Sequence, residues 1–132
     1  MNKGAVLALV GLIGYLGFEL YAVRKNGYRM EPTYIFSQYV AAGRAVALCG
    51  APEGADTARF ARNLDNVRRR AQMALKKTNP EFAPPEIEQE LERLTATSVS
   101  AVDDVVRSDG CQGREIWKHR RRYEIYARTN TG

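Results

Sequence analysis

Residues 55–78 read ADTARFARNLDNVRRRAQMALKKT, and the placement of their apolar side chains decides the fold. Phe60, Leu64, Val67, Ala71 and Ala74 follow one another at steps of four, three, four and three. That spacing returns each of them to one stripe of a 3.6-residue helix, with arginine and lysine on the rest of the surface. Asp56 or Thr57 supplies an oxygen for the first turn. Asn79-Pro80 ends the helix, because a residue before proline is pushed out of the helical region.

The same period recurs on both sides. Upstream, Glu31-Pro32-Thr33 opens a helix running to Cys49, with apolar positions at Ile35/Phe36, Tyr39/Val40, Gly43 and Val46/Ala47. Gly50 stops it, and Ala51-Pro52-Glu53-Gly54 connects it to the next. Downstream, a third helix begins near Pro85 and carries Ile87, Leu91, Leu94, Ser98, Ala101/Val102 and Val105 as far as Gly110. Three helices joined by short loops predict an up-down-up bundle over residues 25–112, in an all-α protein.

Residues 113–132 form a basic, aromatic C-terminal arm whose conformation the sequence leaves open. GREIWKHRRRYEIYART fits a fourth helix. It also fits a strand alternating around Trp117, Tyr123, Ile125 and Ala127. The last three residues, Asn130-Thr131-Gly132, are expected to fray.

The N-terminus has another character. Residues 5–23, AVLALVGLIGYLGFELYAV, are 19 residues long with Glu19 as the one charged member. As a helix they would rise about 28 Å, close to the ~30 Å hydrocarbon core of a bilayer. The run is longer than a signal-peptide core, and Tyr21-Ala22-Val23 is a poor cleavage site, so residues 1–24 are expected to be an uncleaved transmembrane signal-anchor. Gly11, Gly14 and Gly17, three residues apart, are candidates for packing against another membrane helix.

Two indicators of orientation disagree. Arg24, Lys25 and Arg29 outnumber Lys3 and the amino terminus, which slightly favours a cytoplasmic domain by the positive-inside rule. The cysteines point outward. Cys49 ends the first helix and Cys111 follows the third, and an up-down-up bundle brings those two ends together. A disulfide between the chain's two cysteines in a small domain implies an oxidising compartment, so the C-terminal domain is expected to be extracytoplasmic (periplasmic or extracellular) on a single-pass membrane protein.

Charge is segregated along the chain. Residues 55–78 hold seven basic side chains against two acids, and residues 81–106 hold seven acids against Arg93. Neighbouring helices of opposite sign are expected to pair across the bundle surface. The arm keeps an excess, with Lys118, Arg120, Arg121 and Arg122 between Trp117 and Tyr123; those six residues are the candidate contacts for a partner or an anion. His119, the sole histidine, reads as a solvated neighbour of those arginines.

Catalytic readings find no support in the sequence. One histidine and two paired cysteines leave no nitrogen–sulfur set for a metal. Asp103 and Asp104 are adjacent and diverge by about 100° on a helix, and there is no glycine-rich phosphate loop. No catalytic residue, cofactor, metal or small-molecule substrate is expected, and nucleic acid is not the expected partner. The expectation is a non-catalytic, membrane-tethered accessory subunit of an envelope assembly, contacting the membrane and another protein. The alternatives are a secreted binder or inhibitor released by signal cleavage, and an anion- or nucleic-acid-binding module at the membrane surface.

Overall fold

Among the described residues one helix is almost without charge, and the others are arranged around it. A computed structural model describes residues 31–132, which form four helices and no strand. They are α1 (Pro32–Cys49), α2 (Thr57–Thr78), α3 (Pro84–Asp109) and α4 (Arg114–Arg128). The expected span at residues 5–23, with Gly11, Gly14 and Gly17, lies outside the described residues. Among the described residues, no helix is long and apolar enough to cross a membrane.

In α1 the only charged side chain is Arg44, and the helix packs against α2, α3 and α4 alike. A helix apolar on nearly every side is one that is buried on nearly every side. Phe36, Tyr39, Ala41, Ala42 and Ala45 are all buried. The alanines, with Gly43 beside them, are small enough to let three helices approach one axis. The sequence seam placed one apolar face on this helix; three neighbours use more of its circumference.

The loops follow the sequence closely. Asp56 accepts the Arg59 backbone N–H at 2.9 Å and so caps α2. The Ala83 backbone N–H donates to Glu86 Oε1 at 3.1 Å at the start of α3. Gly50 and Gly110, which end α1 and α3, both have positive φ, at 90° and 71°, where a side chain would be strained.

The arm is a helix and part of the core. Ile116, Tyr123 and Ala127 are buried at positions i, i+7 and i+11, a helical stripe. A strand would have placed Ile125 on the face of Tyr123 and Ala127, yet Ile125 is 46% exposed. The bundle is therefore completed by four helices, with residues 113–132 supplying one wall. Tyr126 stacks on Tyr39 at 4.0 Å between ring centroids, Tyr39 on Phe60 at 5.7 Å, and Phe60 on Tyr123 at 4.0 Å. This chain of four rings runs from α4 through α1 and α2 back to α4. Offset aromatic pairs of this kind are worth roughly 0.5–1.5 kcal/mol each beyond their burial.

The direction of α4 follows from its partners. Ile116 near its start clusters with Ala45 of α1, whereas Tyr126 near its end meets Tyr39, so α4 runs antiparallel to α1. The topology is up-down-up-down. Cys49 and Cys111 are disulfide-bonded at the end of the bundle where α1 and α3 both terminate, as the bundle geometry predicts.

The C-terminus does not fray. Thr131 is buried, and its hydroxyl donates to Asn63 Oδ1 at 2.7 Å. Asn63 Nδ2 in turn donates to the Tyr126 and Thr129 carbonyls, each at 2.7 Å. One buried asparagine of α2 thus satisfies carbonyls at the end of α4 that have no helical partner of their own.

Candidate functional site

The basic run 118–122 is consecutive in sequence, and a helix spreads consecutive residues around its circumference. Lys118 Nζ donates to Glu115 at 3.2 Å. Arg120 Nε donates to the Gly50 carbonyl at 3.0 Å and so braces the α1–α2 loop. Arg122 lies beside His119, with 3.5 Å between Nη1 and Nδ1. Arg121 alone of the three arginines is exposed.

The six expected contact residues are therefore not brought together. Trp117, 61% exposed, and Arg121 share the outer face of α4, with Lys118 at its margin. Arg120 and Arg122 lie on the flanks. Tyr123 must be withdrawn from the surface set: it is 4% exposed and stacked on Phe60, because the period that exposes Arg121 turns Tyr123 inward. Sequence reasoning missed Arg114, Ile125 and Arg128, which complete the exposed stripe. The signal was present in their spacing, since Arg114, Arg121 and Arg128 recur every seven residues with Trp117 and Ile125 between them.

His119 is half-buried on α4 beside Arg122, and not freely solvated. Burial, and then the Arg122 guanidinium, push its pKa below the ordinary value. A neutral imidazole at physiological pH contributes no charge to the stripe.

A second surface lies on the opposite side of α1. Between α2 and α3 the helices part over a groove of about 490 Å³. Phe36, Val40, Gly43 and Ala47 of α1 form its floor, Leu64 of α2 one wall, and Thr95 and Val99 of α3 the other. The residues of α1 that meet α4, Ala41 and Ala45 among them, point the other way. Two inter-helix ion pairs bracket the groove. Arg44 grips Asp103 in a bidentate pair at 2.7 and 3.1 Å, while Arg68 holds Glu88 at 2.6 Å with Gln72 donating to the second oxygen at 2.7 Å. These bonds hold the Asp103 and Glu88 carboxyls below their ordinary pKa values. Both pairs are half-exposed, so each serves register more than stability.

Gly43 lies close against the ring of Phe60 in that floor. A Cβ there would lie 3.3 Å from Phe60 Cε1, a ring already held in the aromatic chain. Leu64, expected as a plain seam residue, remains half-exposed, as does Val99 across the groove, because no neighbouring side chain covers the opening.

Among the described residues, no group of three or more His, Cys, Asp and Glu side chains converges. No family model matches the chain, and neither a curated protein nor a solved structure matches it.

Proposed function

We propose that this protein is a non-catalytic accessory subunit of an envelope assembly, tethered by its N-terminal apolar segment and carrying its bundle outside the cytoplasm. The observation that carries the reading is the solvent-open apolar groove between α2 and α3, floored by α1. Concave apolar surfaces with a few fixed polar groups at the edge are what partner segments occupy. The occupant is an apolar-faced segment of another protein of the assembly. Its apolar side chains would lie over Val40, Leu64 and Val99, and a basic side chain would meet Asp65, which lines the groove. Among the described residues Asp65 has no ion-pair partner.

The compartment rests on the disulfide, which persists in oxidising surroundings and not in a reducing cytosol. The tether rests on the length and apolarity of residues 5–23.

A photo-crosslinking residue at Thr95, in the groove wall, tests the reading in native membranes. The expected product is a defined adduct with one other membrane-associated protein, lost when Leu64 is changed to glutamate. Recovery of the uncrosslinked chain alone would count against a groove-bound partner. Intact mass decides the alternative of a secreted binder, since loss of the first ~20–30 residues would mean signal cleavage.

A further inference from the structure

We infer that the outer face of α4 rests on an anionic bilayer surface, with Trp117 and Ile125 at the headgroup–acyl boundary and Arg114, Arg121 and Arg128 on lipid phosphates. This rests on the membrane-tethered reading above and names what the tethered domain touches.

The stripe is built for such a contact by its composition. Trp117 and Ile125 are 61% and 46% exposed on a domain whose other aromatic rings on α4 are drawn inward. On a water-facing surface both side chains expose apolar area that nothing in the fold covers. Indole is the side chain most at home at a membrane interface, apolar across the ring and polar at its N–H. The three arginines alternate with these two side chains along the helix, and none of them has an ion-pair partner among the described residues. Lys118 lies at the margin of the stripe, paired with Glu115. The nearby acids are Glu115, held by Lys118, and Glu124, half-buried on the far flank. A helix lying in the interface plane combines these features: an apolar strip, cations beside it, and a buried opposite face.

The chain's path supports the same occupant. Because α4 is antiparallel to α1, its Arg128 end lies at the end of the bundle where α1 begins. Seven residues, 24–30, separate the apolar segment from Glu31, and three of them are Arg24, Lys25 and Arg29. Fully extended, seven residues span at most about 25 Å. A domain tethered through so short a segment stays close to the bilayer, and the segment adds cations of its own.

Trp117 is the only tryptophan in the chain, so its fluorescence reports on this face alone. The full chain is reconstituted into vesicles of phosphatidylcholine and, separately, of an equal mixture of phosphatidylcholine and phosphatidylglycerol. The expected result is a blue-shifted Trp117 emission, quenched by brominated acyl chains, in the anionic vesicles only. The shift should disappear at high salt. It should also be lost in R114Q/R121Q/R128Q, whose fold is checked by circular dichroism. Emission unchanged between the two lipids, in a chain that still floats with the vesicles, would overturn the lipid contact and leave the tether standing. Shielding of Trp117 only when a protein extract is added would assign the face to a protein partner instead. A chain that fails to float with the vesicles would overturn the tether, and the lipid contact with it. Should the triple variant misfold, the salt titration of the unaltered chain decides the question by itself.

Discussion

Asn63 and Thr131, separated by 68 positions in the sequence, share a buried hydrogen bond of 2.7 Å that fastens the C-terminus of α4 to the middle of α2. Asn63 uses its amide NH2 as well, donating to two carbonyls at the end of α4. Replacing it by alanine takes the side-chain donor from those two carbonyls and the acceptor from the Thr131 hydroxyl, which keeps only the Asn66 amide donating to it at 3.1 Å. Asn63→Ala should therefore cost about 2–3 kcal/mol in urea unfolding, and Thr131→Val, which keeps the shape, about 1 kcal/mol. Asn63→Asp should be at least as damaging as the alanine, because a carboxylate would face carbonyl oxygens.

The Cys49–Cys111 bond closes a loop with a sequence separation of 62. By chain entropy alone such a closure stabilises by about 4 kcal/mol. The reduced protein, or the C49A/C111A variant, should unfold at a lower guanidinium midpoint, with an unfolding free energy smaller by about that amount. An unchanged midpoint would mean that the four-helix core holds the two ends together without it.

Gly43→Ala sets two effects against each other. Alanine is favoured in a helix interior by about 1 kcal/mol. The added methyl, however, meets Phe60 at 3.3 Å, and that ring is stacked between Tyr39 and Tyr123. The ring cannot yield without disturbing both neighbours, so packing should outweigh propensity and leave the variant less stable by about 1 kcal/mol. A thermal melt against the unaltered chain checks the sign.

Acid should destabilise the bundle in two stages. His119 has a folded pKa below its ordinary value of about 6.5. The unfolded chain therefore binds the proton first, and stability begins to fall as pH drops through that value. Asp103, Glu88 and Glu90 have depressed carboxyl pKa values through hydrogen bonds from Arg44, from Arg68 and Gln72, and from Arg93. Their contribution is complete above about pH 5 and is lost as pH falls through their folded values. Urea midpoints measured across this range should show both declines. In His119→Gln the upper one should vanish and the lower one remain.

Much of the fold was legible in local pattern. The starts and stops of α1, α2 and α3 follow from Pro32, Asp56, Pro80, Gly50 and Gly110, because capping and helix-breaking act within a few residues. The disulfide was legible as well, since an up-down-up chain must return Cys111 to the end where Cys49 lies. The C-terminal segment was not. Its Tyr123-Ile125-Ala127 alternation and its Ile116-Tyr123-Ala127 period compete over too few residues for periodicity to choose. Tyr123 was misplaced for a related reason. Next to three arginines it looks like part of a surface cluster, and only the helix turns it toward Phe60.

The sequence by itself therefore determined the helical class, three of the four helices, the pairing of the cysteines and the unequal distribution of charge. Each of these is set by neighbours along the chain or by the simple alternation of helix direction. Tertiary structure decided which helix stands at the centre, which cations of α4 remain free and where the surface stays open. Arg120 is occupied by a carbonyl 70 positions away, and Asn63 is buried because α4 ends against it. Burial and partnership of that kind depend on contacts between distant segments, which no local period encodes.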